Sequence, residues 1–285
     1  MKIVVLGGCG DMAVVADRLL VGEEDVEKIV IADLDIKKAE KMAQELGPKV
    51  SAVGVDATDR ESVMATVKGF DVALGFIGPF YMFERKIVDA CIDAGTPYVS
   101  IMDDYDAYLD VVKLDRKAKD AGITAICGLG NSPGITNLLA KKGYLSMDNP
   151  QKINIQWAGG SGEEVGAANV KHVMHIFAGT TLQWLNGKHV RVKTGGDRRV
   201  VEFPEPVGRL PVFYTGHAES VSVPLNLEGL EEVTLHGGTK PAWIAQFATV
   251  MGRLKLTDTP KKRDRIAKYM VALEESGAFG KGGVD

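Results

Sequence analysis

Hydrophobic positions in the first half of the chain fall into two patterns that take turns. Short unbroken apolar runs, such as Ile3, Val4, Val5 and Leu6 or Ile29, Val30, Ile31 and Ala32, are bounded by turn residues and predict strands buried on both faces. Between them the apolar residues recur every three or four positions. Those at 36, 39, 43 and 46, followed by Gly47, predict an amphipathic helix with a glycine stop. Further strands are expected at 50–55, 70–77, 97–101 and 123–127, with helices from a capping box at Thr58 and Glu61 to Lys68, from 82 to 94, and up to about 121. Six strands alternating with five helices predict an α/β fold, a doubly wound parallel sheet.

After a glycine-rich turn at 128–134 the pattern changes. Strands follow one another at 152–157, 189–193, 198–203, 212–215 and 233–236, and Asn186-Gly187 reads as a hairpin turn. Helices are expected near 169–185, 241–254 and 260–276, the last capped by Thr259 and opened by Pro260. This predicts two domains: residues 1–130 as a dinucleotide-binding domain, and residues 131–285 as an α+β domain with a largely antiparallel sheet, ending in a loose tail at 277–285.

The turn after the first strand carries the chemistry. In Gly7-Gly8-Cys9-Gly10-Asp11-Met12-Ala13, Gly8 allows a sharp turn, Gly10 lets backbone approach a pyrophosphate, and Ala13 lets the new helix pack close to the sheet. The amides at the helix start, at Asp11 and Met12, face the phosphates. Asp33, at the end of the second strand, suits an adenosine ribose diol, or alternatively caps the next helix. Asp56 and Ala57 are candidates for the adenine, and Ile77, Gly78, Pro79 and Phe80 for the reactive end of the cofactor. Such a Rossmann-type domain would bind NAD by preference, since Asp33 repels a 2′-phosphate and Leu34 offers no arginine; Lys37 and Lys38 keep NADP open.

The rest of the composition narrows the partners. Across 285 residues, 45% are hydrophobic and the 34 basic and 38 acidic residues leave a charge of -4 with no long single-sign run, which argues against nucleic acid or a polybasic membrane anchor. No apolar stretch is long enough to span a membrane. Cys9, Cys91 and Cys127 are few and scattered, suggesting neither a disulfide framework nor a zinc site and pointing to a reducing cytoplasm.

The landmarks resemble the saccharopine dehydrogenase-like family, which includes saccharopine reductases, lysine dehydrogenases and carboxynorspermidine dehydrogenases. The resemblance rests on Gly7-Gly8-Cys9-Gly10, on Ile77-Gly78-Pro79-Phe80 with the segment 88–99, on Gly128-Leu129 with Ser132-Pro133-Gly134-Ile135-Thr136-Asn137, and, more loosely, on Trp157-Ala158-Gly159-Gly160, Asn186-Gly187-Lys188 and Gly208-Arg209-Leu210. It implies hydride transfer between a nicotinamide cofactor and a carbon–nitrogen bond of an amino acid or polyamine derivative, in a protein that is often a homodimer and often carries a further C-terminal segment. Saccharopine is one candidate substrate among several, because Ala218-Glu219-Ser220 lacks the arginine of saccharopine reductases at that place.

Oxidising an amine requires its nitrogen to lose a proton, which a carboxylate or neutral imidazole can accept. Asp103 and Asp104, after the fifth strand, are the nearest acids by topology, with a helix N-cap as the alternative; His217 and Glu219 are the acid–base candidates of the second domain. Tyr81 either hydrogen-bonds a substrate or packs. His172 and His175, at i and i+3, have no matching acids or cysteines to complete a metal site. Two other functions fit the same fold: a non-catalytic NAD(P)-binding protein that senses redox state, and an enzyme acting on a carbon–oxygen bond.

Overall fold

The structure is a computed structural model that describes residues 1–160 and 167–275. The chain divides into two compact units, Met1–Gly134 and Ile135–Asp285. The tail expected at 277–285 lies outside the described residues.

The first unit runs β1 (Lys2–Leu6), α1 (Asp11–Val21), β2 (Lys28–Asp33), α2 (Ile36–Leu46), β3 (Val50–Gly54), α3 (Arg60–Val67), β4 (Val72–Gly75), α4 (Phe80–Ala94), β5 (Tyr98–Ser100), α5 (Tyr105–Val111), α6 (Asp115–Ala121) and β6 (Ala125–Cys127). All six strands are parallel in the order β3-β2-β1-β4-β5-β6, the doubly wound order of a Rossmann fold. Alternation of side chains along each strand builds two cores. Ile3, Val5, Ile29 and Ile31 pack with Ala13 of α1 and with Ala39 and Ala43 of α2 on one face. Val4, Leu6, Val30 and Ala32 pack with Val63 and Val67 of α3 and Ile87, Val88 and Cys91 of α4 on the other. Two details differ from expectation. Asp59, not Thr58, caps α3, its carboxylate accepting from the Glu61 amide at 3.0 Å while the Thr58 hydroxyl donates to Asp56 at 2.7 Å. The helix expected to end near 121 is broken between α5 and α6 by a 3-10 turn, Val112–Leu114.

The second unit runs α7 (Ile135–Leu145), β7 (Lys152–Gly160), α8 (Ala167–Ile176), β8 (Thr180–Leu185), β9 (Lys188–Lys193), β10 (Arg199–Glu202), β11 (Arg209–Tyr214), α9 (Glu219–Asn226), β12 (Glu232–Lys240), α10 (Trp243–Arg253) and α11 (Pro260–Glu275). The sheet order is β10-β11-β12-β8-β9, and β7 runs parallel to β12 over nine residues; the other pairings are antiparallel. The hairpin turn falls at Asn186 and Gly187 with φ of 53° and 70°, the left-handed pair that a two-residue hairpin loop requires. The helix expected at 169–185 is corrected: it stops at Ile176, Gly179 turns the chain with φ 67°, and the β-branched and aromatic run Thr180, Thr181, Leu182, Gln183 and Trp184 becomes β8.

Beneath the first sheet lies a polar network that apolar patterning does not reveal. Glu84 on α4 is fully buried and accepts hydrogen bonds from the Tyr98 hydroxyl at 3.0 Å and from the Ser100 hydroxyl. A Cβ at Gly75 would overlap the Tyr98 hydroxyl, so this glycine is what lets the phenol reach the carboxyl. Burial raises the Glu84 carboxyl to about 7, against the lowering pull of the bonds from Ser100, Tyr98 and Cys127. Asp17 on α1, buried with both carboxylate oxygens lacking a partner among the described residues, is likewise raised by burial to about 7.

Both groups hold their protons more tightly folded than unfolded, so their contribution is complete at acid pH and is lost as pH rises through about 7. For Glu84 the loss amounts to about 3 kcal/mol. Urea unfolding at about pH 5 and about pH 8 is expected to show a lower stability at the higher pH, and Glu84→Gln to shrink that difference. An unchanged difference would show that Glu84 does not titrate in this range.

Candidate functional site

The loop between β1 and α1 is shaped by the absence of side chains. Gly7 has φ 76°, and a Cβ there would stand 2.8 Å from the Ile77 side chain; a Cβ at Gly8 would stand 2.8 Å from Ile31 and 3.2 Å from the Val5 carbonyl. The sharp turn expected at Gly8 is therefore made by left-handed Gly7, while Gly8 is required by close packing. Gly10 is the N-cap of α1 in an extended conformation, and a Cβ on it would meet only the Gly7 carbonyl, at 3.3 Å, with open space beyond.

The amides of the loop are partly used. Gly7 donates to Ala32 O at 2.7 Å, Gly10 to Gly7 O at 3.0 Å, and Cys9 to the Asp33 carboxylate at 3.1 Å. The helix begins its own ladder with Val14 donating to Gly10 O, so the amides of Asp11, Met12 and Ala13 have no partner within α1. Asp11 and Met12 are exposed, at the positive end of the helix dipole, where a diphosphate fits beside side-chain-free Gly10. The donor set and the clear approach suit a dinucleotide.

Asp33 does not cap α2; Asp35 does, accepting from the Lys38 amide at 3.1 Å. The Asp33 carboxylate instead ties the end of β2 to the glycine loop, accepting from Cys9 and, at 3.0 Å, from the Asp35 amide. Lys38 reaches the same loop, its ammonium donating to the Cys9 carbonyl at 2.9 Å. Burial, and then the neighbouring Asp33 charge, push the Cys9 thiol up to about 11. Burial raises Cys91 to about 12 and holds Cys127 well above the ordinary thiol value.

The remaining candidates of the first unit divide by what they touch. Asp56 serves a turn, accepting from the amide and hydroxyl of Thr58, which hold its carboxyl below the usual range, and Ala57 packs at the edge of the core. Ile77 packs against the glycine loop, and Gly78 leads to Pro79, the N-cap of α4, whose first residue is Phe80. Buried Asp104 precedes α5 but makes no cap bond there; its carboxylate accepts from the Tyr81 amide at 3.0 Å in the first turn of α4. Half-buried Asp103 adds to the upward pull on Glu84.

In the second unit, His217 and Glu219 belong to one cluster. The His217 ring lies between β11 and α9 with its Nδ1 3.6 Å from Glu219 Oε2, and Glu219, wholly buried in the first turn of α9, accepts from the Thr136 hydroxyl at 2.8 Å. Trp157 stacks on His217 with ring centres 5.3 Å apart and planes 26° from parallel. His172 of α8 meets His217 Nε2 to Nε2 at 3.2 Å. Patterning missed His172, Trp157 and Thr136 as members of this cluster, because three separate elements, α8, β7 and α7, deliver them and no sequence spacing links them to His217.

Residues 3–126 match the family model described as the saccharopine dehydrogenase NADP-binding domain. The carboxyaminopropylagmatine dehydrogenase of Synechocystis sp. is 28% identical over 148 residues, which is 48% of this chain and 36% of that protein. The alpha-aminoadipic semialdehyde synthase of Arabidopsis thaliana is 30% identical over 116 residues, 40% of this chain and 10% of that one. The chain thus spans well under two thirds of both curated relatives. Apo saccharopine dehydrogenase (L-Glu forming) from Saccharomyces cerevisiae shares the fold, with a TM-score of 0.61 and 20% identity over 83% of this chain and 55% of that one.

The two outer glycines of the loop are expected to separate in experiment. Gly7→Ala forces a side chain onto a left-handed backbone and into Ile77, and should cost about 1–3 kcal/mol of stability. Gly10→Ala should keep stability within about 1 kcal/mol yet weaken nicotinamide dinucleotide binding at least about tenfold, read by thermal melting and by fluorescence titration. Equal affinities for Gly10→Ala and the wild type would remove this loop as the diphosphate cradle.

Proposed function

We propose, for a chain whose residues 3–126 match the saccharopine dehydrogenase NADP-binding domain, that it is a nicotinamide-dependent oxidoreductase acting on a carbon–nitrogen bond of an amino acid or polyamine derivative, with a lysine- or saccharopine-type substrate. The observation that carries the reading is the start of α1: amides of Asp11 and Met12 left to a ligand, Gly10 leaving room beside them, and Asp33 hydrogen-bonded to the same loop. The names of the two curated relatives support the substrate class.

The nicotinamide, when bound, supplies the hydride acceptor or donor. The chain's own part is to hold the diphosphate at Asp11 and Met12, to hold the adenosine ribose with the Asp33 lone pairs that Cys9 and Asp35 do not use, and to store the substrate's proton on the imidazole of His217. Glu219 at 3.6 Å balances the charge that the imidazole then carries, and the Trp157 face suits a cation. Asp104 acts here through position, fixing the N-terminus of α4.

Within this reading the cofactor is NAD. The Asp33 carboxylate opposes a 2′-phosphate, and exposed Leu34 gives it no donor; Lys38, already beside the loop, is the charge that NADP would use. Asp33→Ala should raise the NAD dissociation constant at least about tenfold, and Lys38→Ala should weaken NADP while sparing NAD. A preference for NADP unchanged by Asp33→Ala would reverse the assignment.

Activity is tested on a panel of amino acids, polyamine derivatives and hydroxy acids, read at the reduced-cofactor absorbance. Turnover with amines alone supports the reading, turnover with hydroxy acids alone moves it to carbon–oxygen chemistry, and binding without turnover makes the chain a redox-sensing binder.

A further inference from the structure

We propose that dinucleotide binding is proton-linked through Asp17: a diphosphate seated at the start of α1 draws a proton onto the buried Asp17 carboxylate, and ionisation of that carboxylate weakens the hold of the glycine loop on its ligand. This is a regulation of the site argued above and rests on that reading for the identity of the ligand.

Position on the helix brings the two charges together. Ala13, Asp17, Leu20 and Val21 recur every three or four residues and so share one face of α1, and Ala13, Leu20 and Val21 pack with Ile3, Val5, Ile29 and Ile31. Asp17 therefore stands in an apolar interior. It is 0% exposed, and neither carboxylate oxygen has a hydrogen-bond partner among the described residues. The amides of Asp11 and Met12 lie six and five residues earlier on the same helix, about 8–9 Å along its axis.

Nothing around the carboxyl favours its charged form. The other charged residues of α1, Asp11 and Arg18, are exposed. The core against this face is built of apolar side chains from β1, β2, β4 and α2 and of the Cys9 thiol, which stays protonated up to about 11. Asp33 and Lys38, the charges beside the loop, bond to the backbone of Cys9. None of these groups moves the Asp17 carboxyl; burial raises it to about 7. The helix gives no relief, because the amides at this depth are used in its own ladder and the favourable end of its dipole is more than a turn away.

An ionised Asp17 and a bound diphosphate are like charges separated by helix and packed core, so their repulsion is screened less than between two surface groups. Each disfavours the other, and linkage makes the effect equal in both directions. A bound diphosphate raises the carboxyl further, and a deprotonated Asp17 raises the dissociation constant. In molecules where Asp17 is ionised, binding moves one proton from the buffer to a carboxylate oxygen, forming its O–H bond, and departure of the nucleotide returns that proton to the buffer. With the free carboxyl at about 7 and the complex above it, affinity is greatest on the acid side and falls as pH rises through about 7.

Calorimetric titration of the full chain with NAD, in two buffers of different ionisation enthalpy, counts the protons without any variant. At about pH 7.5 uptake of at least about a quarter of a proton per nucleotide is expected, and the dissociation constant should be at least about threefold higher at about pH 8.5 than at about pH 6. Asp17→Asn, neutral at every pH and nearly the same in shape, should abolish the uptake, hold the pH dependence within about 1.5-fold and bind NAD more tightly than the wild type at about pH 8.5. Glu84→Gln removes the other buried carboxyl raised to about 7 and should keep both the uptake and the pH dependence. NAD binding without proton uptake, or uptake that survives Asp17→Asn or disappears in Glu84→Gln, would overturn the proposal and leave the function standing. A wild type that binds neither NAD, NADP nor ADP-ribose would overturn the function and this linkage with it.

Discussion

The steric closeness of the β1–α1 loop to the second and fourth strands is the constraint on which the first unit depends. Ile31 from β2 and Ile77 from the loop after β4 approach so near that Gly7 and Gly8 admit no side chain. Because the backbone is drawn in that far, Cys9 can donate to Asp33 and Gly7 to Ala32, and the ends of β1 and β2 are locked in register from Lys2 and Lys28 to Leu6 and Ala32. The helix ladder of α1 then begins only at Val14, leaving the amides of Asp11, Met12 and Ala13 outside it.

How much of this was legible in the sequence depends on whether the signal was local. The parallel sheet was, since Ile3 to Leu6 and Ile29 to Ala32 are unbroken apolar runs with no competing period. So was the hairpin at Asn186 and Gly187, whose turn chemistry is contained in two residues. The helix expected at 169–185 ran too far because the apolar residues of α8 and β8 join without a break in hydrophobicity, and the lone Gly179 that parts them was outweighed. Helix α9 escaped notice for the opposite reason. Val221 and Val223 alternate with Ser220 and Ser222 as a strand would and Pro224 sits inside it, yet its serines are satisfied by neighbours, Ser220 donating to the Leu182 carbonyl and Ser222 accepting from Asn137. Tertiary partners overrode the local preference.

The site shows the same division. Glycines that must be glycines announce themselves, and Asp33 lies at a fixed distance from them along one βαβ unit. The cluster around His217 has no such signature. Its members come from β7, α8, the β11–α9 connection, α9 and α7, and only the folding of the unit brings them together. Reading His217 and Glu219 as candidates from a short run caught the two that are neighbours in the chain and missed those that are neighbours only in space. Asp104 shows a different error of scale: it reads as an acid–base candidate with a cap on its own helix as the alternative, and in place of that cap its carboxylate accepts from the first turn of α4.

The three thiols lead to a last consequence. Cys9, Cys91 and Cys127 are unpaired, and their surroundings favour the protonated sulfur in each case, most tellingly at Cys9 in the glycine loop beside Asp33. Attack on peroxide, alkylating reagents or a mixed disulfide proceeds through the sulfur anion, which is scarce here at neutral pH. The three thiols are therefore slow to react with small oxidants at neutral pH.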